Sequence, residues 1–164
     1  MALSYRILRI EKDQTEFQPQ RDYLAELLDL SKAWADEKTC PSYDPNEPDA
    51  FLDTDFYAAL DGERIVGYAM GHTNVLQKKS SYNKPGETAF ELDELYVAPA
   101  YRALGVGRAL YRFVESEVAG QADVITLIAV SYRYKDLLRF YCDELGMSFN
   151  YALLVKRTDR PADQ

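Results

Sequence analysis

Glu91-Leu-Asp-Glu-Leu-Tyr-Val-Ala-Pro-Ala-Tyr-Arg-Ala-Leu-Gly-Val-Gly-Arg-Ala-Leu110 passes from a strand, through a turn, to a glycine-bearing loop and a helix. Leu92, Leu95, Tyr96 and Val97 favour an extended, largely buried strand. Pro99 ends it, because proline cannot donate to a sheet ladder. Arg102-Ala103-Leu104-Gly105-Val106-Gly107 then opens an amphipathic helix. Glycines there let the backbone come close to a ligand. The free N–H groups of a helix entrance, with its dipole, suit an anion such as a pyrophosphate.

Downstream, the helix over about 105–118 presents Val106, Leu110, Phe113 and Val114 on one face, and Gly120 stops it. Val124–Val130 is apolar at nearly every position, as in a strand covered on both faces. A helix over about 134–145 follows, ended by Gly146, and Ser148–Lys156 alternates as a final strand. Upstream, 3–10 reads as a first strand, and Leu24, Leu27, Leu28 and Trp34 give helical spacing from Pro19 to about Asp36. Three prolines make 39–50 a loop or broken helix. Asp61-Gly62 between apolar runs signals a hairpin, and the strand after the polar stretch 73–88 covers about 89–97. The pattern predicts an α/β domain over 1–158, with 159–164 a frayed tail.

The 164 residues suit one domain, and 47% apolar with 28% charged residues is ordinary for a soluble protein. A net charge of −8 disfavours nucleic acid as a partner, which requires a basic footprint. It leaves room for one anionic ligand held by local N–H groups and by Arg102, Arg108 and Arg112, and it would attract cationic amines. No apolar run reaches membrane-spanning length and no signal-peptide pattern opens the chain. Cys40 and Cys142 lack metal-type spacing and fit a reduced, cytoplasmic setting. The lone His72 speaks against a zinc site; at the end of the third strand it could touch substrate or be an ordinary, partly exposed residue. The five acids of 43–56 read as a solvated loop or as a wall that recognises a cationic acceptor.

Arg102–Gly107 resembles the Arg/Gln-x-x-Gly-x-Gly/Ala signature of the Gcn5-related N-acetyltransferases, the GNAT superfamily. The preceding Leu-Tyr-Val-x-Pro-x-Tyr-Arg spelling and the later Phe140-Tyr141-Cys-Asp-Glu-Leu145-Gly146 are similar to the family's two landmarks. The resemblance implies a curved mixed β-sheet flanked by helices, whose central strands, here 89–97 and 124–130, splay apart. It implies acetyl-CoA as donor, with coenzyme A as product and no metal. The acceptor would be a primary amine of a small molecule or peptide, and a homodimer is compatible with such folds. Backbone groups of Leu95, Tyr96 and Val97 would pair with the pantetheine arm. N–H groups from Arg102, Ala103, Leu104, Gly105, Val106, Gly107 and Arg108 would cradle the pyrophosphate. The sequence departs from many relatives at Tyr134 and Leu137, where they carry Asn and Ala.

Transfer of an acetyl group to an amine requires a base, oxyanion donors and an acid for the leaving thiolate. Strand alternation predicts Glu91, Asp93, Leu95 and Val97 on one side and Leu92, Glu94 and Tyr96 on the other. Glu91 and Asp93 would project together, at positions where relatives with an assigned base often carry it. Tyr141 matches the family tyrosine near the cofactor sulfur, and a phenol holds its proton at neutral pH. The alternative roles are a salt-bridged surface pair for the carboxylates and simple packing for Tyr141. A member of the same fold that only binds acyl-CoA, as a sensor or partner module, is the competing function.

Overall fold

A computed structural model describes residues 5–10 and 19–158. Leu3 and Ser4 of the expected first strand and the expected tail 159–164 lie outside the described residues. The sheet runs β1 (Tyr5–Ile10), β2 (Phe56–Asp61), β3 (Arg64–Val75), β4 (Thr88–Val97) and β5 (Val124–Thr126), in that spatial order. The first three pairings are antiparallel and β4–β5 is parallel. The helices are α1 (Pro19–Glu37), α2 (Pro48–Leu52), α3 (Val106–Val118) and α4 (Tyr134–Leu138). The result is the mixed, curled sheet with flanking helices that the resemblance implies.

Each face of the sheet has its own core. On one, Leu27 of α1 and Phe51 of α2 pack with Phe56, Leu60, Tyr68 and Tyr96. Pro48 starts the short α2, where its fixed φ suits the first turn. Phe51 then meets Phe56 and Tyr68 edge-on, at centroid separations of 6.1 and 5.4 Å. Burying each such ring contributes about 1.5–3 kcal/mol. On the other face, Leu110, Tyr111, Val114 and Val118 of α3 cover Tyr57, Ala69, Phe90 and Leu92. The i, i+4 spacing of Val106, Leu110, Val114 and Val118 supplies that stripe. The hairpin expected at Asp61-Gly62 joins β2 to β3, with Asp61 paired to Arg64.

Four expectations differ from the structure. First, strict alternation fails in β4. The pairing steps from Met70–Glu94 to Gly71–Leu92, so Asp93 is an extra, bulged residue. Leu92 and Leu95 consequently pack on the same α3-side core, while Glu94 and Tyr96 turn towards α1 and Tyr68. Second, β5 ends at Thr126 instead of continuing to Val130. The chain beyond is drawn to the end of α1, where Ser131 Oγ and Tyr132 N–H both donate to the Thr39 carbonyl. Third, the last helix is α-helical only to Leu138, and Arg139–Glu144 is π-wound, with Leu145 N–H bonding the Phe140 carbonyl at 3.1 Å. Fourth, 148–156 forms no strand, because it has no neighbour to pair with.

Candidate active site

β4 and β5 pair only from Ala89–Val124 to Glu91–Thr126. Past that point the β5-facing edge of β4 has no strand beside it, and a cleft of about 250 Å³ opens. Leu95, Tyr96 and Val97 form one wall, and Val130, Ser131 and Leu137 stand across from them. Trp34 and Glu37, at the end of α1, close a third side. The unpaired edge offers the N–H and C=O groups that an extended amide-bearing arm would use, as an added strand would. Leu137, where relatives carry Ala, lines this cleft, whereas Tyr134 is exposed.

The glycine loop stands at the outer end of the cleft. Pro99–Tyr101 makes one 3-10 turn, and Gly105 caps α3 at φ +85°, a left-handed conformation that side chains resist. A Cβ built at Gly105 meets no atom within 4 Å, so its face is open. The first-turn N–H groups of α3 lack intrahelical acceptors, as at every helix start. Gly107 has a different role: a Cβ there would lie 3.5 Å from Phe140 and 3.6 Å from Val97, so it lets α3 approach β4 and the π turn.

All three arginines of this region already have carboxylate partners. Arg102 forks onto Glu37 at 2.6 and 2.9 Å, lies over the Tyr96 ring, and donates through Nε to the Val97 carbonyl at 2.8 Å. Burial alone would raise the Glu37 carboxyl, but hydrogen bonds from Arg102 and Tyr96 outweigh it and hold it below its ordinary value. Arg108 pairs with Glu144 at 2.6 Å and Arg112 with Glu115 at 2.7 Å. Arg102 therefore ties the loop to β4 and α1, and the loop's capacity for an anion rests on its N–H groups. Gly105→Val is expected to weaken acetyl-CoA binding tenfold or more. The strained φ would cost about 1–2 kcal/mol of stability as well. Calorimetric titration of the folded variant decides: wild-type affinity would remove the loop from the binding site.

Glu91 and Asp93 sit at the apex of the opening, where the bulge lies. Between them stands His72, whose Nδ1 is 2.8 Å from Asp93 Oδ2 and whose Nε2 is 3.8 Å from Glu91 Oε2. The hydrogen bond to Asp93, with the negative field of both carboxylates, raises the imidazole above its ordinary value despite some burial. The trio is partly open to water. The sequence leaves the role of His72 open, because Glu91 and Asp93 are remote from it in the chain. The available signal was its place on the strand paired with β4, where it faces Glu91 directly.

Glu94 is the other carboxylate that sequence reading sets aside. Tyr68 donates to it at 2.7 Å, and Asn46 at 2.9 and 3.0 Å. Tyr43 adds a longer bond at 3.3 Å and also meets Ser31 of α1. Burial raises the Glu94 carboxyl, and these three donors only partly offset it. The network fastens Tyr43 and Asn46 of the 39–47 loop to β4, and the Tyr43 ring lies tilted against Trp34 at 4.3 Å.

Tyr141 lies in the π turn, packed against the α3-side core beside Phe140 and Tyr111 at centroid distances of 5.0 and 6.3 Å. Burial pushes its hydroxyl up to about 12, so it stays protonated at neutral pH.

The chain belongs to the GNAT acetyltransferase family, whose model matches residues 12–147. Solved structures of the same fold include an aminoglycoside acetyltransferase from an uncultured soil metagenomic sample, in complex with sisomicin. That likeness has a TM-score of 0.65 at 14% identity and covers 95% of this chain and 97% of the other. The ribosomal-protein-alanine N-acetyltransferase of Brucella melitensis aligns with a TM-score of 0.60 at 14% identity, over 94% of this chain and 100% of the other. An aminoglycoside N-acetyltransferase, AAC(6')-Iy, in complex with CoA, aligns at 0.62 and 15% identity, over 96% of each chain. At these identities the likeness is one of fold. A search of curated proteins finds no match. Enzymes of this family use acetyl-CoA, and no helix among the described residues is long and apolar enough to cross a membrane.

Proposed function

We propose that this protein is an acetyl-CoA-dependent N-acetyltransferase that acts on a primary amine of a small molecule or peptide by direct transfer in a ternary complex. One observation carries the reading. The parting of β4 and β5 after Glu91–Thr126 leaves an unpaired strand edge along a cleft lined by Leu95–Val97 and by Arg102, where the open glycine loop begins, and the Glu91–His72–Asp93 group lies on β3 and β4 at the point of parting. The residues fit the donor: Leu95–Val97 would align its arm, and the N–H groups of 103–108 would hold its pyrophosphate. Bound there, acetyl-CoA would supply the activated acetyl group.

The chain's own residues would do the rest. Glu91 and Asp93, joined through His72, accept the proton that the incoming ammonium must lose. Backbone N–H groups of β4 near Val97 stabilise negative charge that develops on the acetyl oxygen. Tyr141, protonated across the neutral range, returns a proton to the departing thiolate. The net charge of −8 favours a cationic acceptor. Thiol release from acetyl-CoA, measured against a panel of polyamines, aminoglycosides and lysine peptides, tests the reading. Tight acetyl-CoA binding with no turnover on any amine would replace it with a binding module.

Tyr141→Phe keeps the ring and deletes the hydroxyl. Turnover is expected to fall about 10²-fold, the lower end of general-acid contributions. Melting temperature and acetyl-CoA affinity should barely change. Normal turnover in a destabilised variant would instead assign Tyr141 to packing alone.

A further inference from the structure

The glycine loop carries a backbone strain that its own residues do not relieve. Ala103 stands at φ +58° and Gly105 at φ +85°, two left-handed positions one residue apart. Glycine tolerates that region, but the Cβ of an alanine crowds its carbonyl oxygen there. Such a conformation persists only where the surroundings hold it. Packing does not supply the hold, because Ala103, Leu104 and Gly105 are all exposed. The loop is fixed at its two ends, by buried Val106 on α3 and by the side chain of Arg102.

Arg102 is held from across the cleft. Its guanidinium forks onto Glu37 at 2.6 and 2.9 Å, and its Nε reaches the Val97 carbonyl at the end of β4. The Tyr96 hydroxyl donates to the same Glu37 carboxylate at 2.6 Å. Glu37 is the last residue of α1, 65 positions from Arg102. A carboxylate there opposes the helix dipole, and α1 has no basic residue in its last turn to offset it. Lys32 bonds Asp36 instead. Glu37 therefore does nothing for its own helix, and its bonds all run to β4 and the loop. Trp34, one turn earlier, stacks on Tyr96 at 5.4 Å and fixes where α1 ends against β4. Exposed ion pairs hold little. Here the carboxylate side chain is only 22% exposed, and a fork shared with a phenol fixes geometry as well as charge.

We propose that Glu37 is a positioning residue for the donor loop. Through Arg102 it keeps Ala103 left-handed and so aims the N–H groups of 103–108 at the donor's pyrophosphate. The ligand in this inference rests on the acetyl-CoA reading, whereas the brace on the loop does not. Glu37 bonds Arg102 and Tyr96 and none of the groups assigned to proton transfer. It should therefore govern donor affinity and leave the chemical step alone.

Glu37→Gln is nearly isosteric and removes a charge that the helix end disfavours, so melting temperature should stay near wild type. In the ligand-free chain, amide exchange at 103–108 is expected to quicken about tenfold. Calorimetric titration should show acetyl-CoA bound about tenfold more weakly, with KM for the donor raised to match and kcat at saturation within about twofold. Arg102→Gln should lose at least as much. The double variant Glu37→Gln, Arg102→Gln should lose no more than Arg102→Gln alone, because the two side chains act as one unit. Losses that multiply in the double variant overturn the proposal, since Glu37 would then act independently of Arg102. So does a Glu37→Gln chain with lowered melting temperature but wild-type affinity and loop exchange, which would assign Glu37 to packing. A wild-type chain that binds no acetyl-CoA overturns the acetyltransferase reading. Unchanged exchange at 103–108 overturns the brace whatever the loop binds.

Discussion

The Glu91→Gln, Asp93→Asn double variant is expected to lose about 10³-fold in kcat/KM for its amine near neutral pH, within the range of general-base contributions. Both substitutions are nearly isosteric, and both side chains are partly exposed, so the fold should tolerate them. They remove the two negative charges that bracket His72 and leave the imidazole without its ionic partner. Acetyl-CoA affinity should hold, because the glycine loop and the Leu95–Val97 edge are untouched. Partial recovery is expected at high pH, where free amine forms in solution. Wild-type rates across pH 6–9 would exclude both residues from the mechanism.

The pH profile separates the contributions within that group. The Asp93 hydrogen bond is the main cause holding the His72 imidazole above 6.5. Proton acceptance through His72 requires the neutral ring. The rate should therefore rise as pH increases through a midpoint above 6.5. Asp93→Asn alone removes that main cause, so the acidic limb should move to lower pH. The stability linkage runs in the opposite direction. A raised imidazole contributes stability that is complete below the unfolded value and is lost as pH rises through the folded one. An acidic limb unmoved by Asp93→Asn would show that His72 does not carry the proton.

Much of the fold is legible in sequence because its signals are local. The Asp61-Gly62 turn, the apolar stripe of α3 and the glycine loop each need only neighbouring residues to be read. What escapes depends on partners remote in the chain. One inserted residue at Asp93 reverses the facing of everything after it, and only the register against β3 reveals it. Val124–Val130 looks like a seven-residue strand, yet Thr39, far away in sequence, draws half of it off the sheet. The π turn at 139–144 depends on one residue more than an α-helical turn holds, which composition does not register. The same limit applies to His72 and Glu94. Their surroundings come from Asp93 on the neighbouring strand, and from Asn46 and Tyr43 on the 39–47 loop with Tyr68 on β3.

Gly71→Ala is expected to be the most damaging single-methyl change in the molecule. Gly71 lies on β3 opposite Leu92, at the step in register that creates the Asp93 bulge. A Cβ there would stand 2.2 Å from the Glu91 carbonyl oxygen and 2.7 Å from the Phe90 ring. The ring can give way in part, but the carbonyl is backbone in the middle of a ladder. Relief requires β3 and β4 to separate locally or the bulge to shift, and overpacking of this severity costs about 3 kcal/mol or more. For a chain of this size, that corresponds to a fall of roughly 6–12 °C in melting temperature. Activity of the remaining folded fraction should drop too, since the displaced carbonyl belongs to Glu91 and the shift carries Glu91 and Asp93 away from His72. Thr73→Ala, two residues along the same strand at an exposed position, serves as the control and should melt close to wild type. If Gly71→Ala melts with the control, the close approach of β3 to the bulge is wrong. The positioning of the carboxylate–imidazole group would then have to be explained without it.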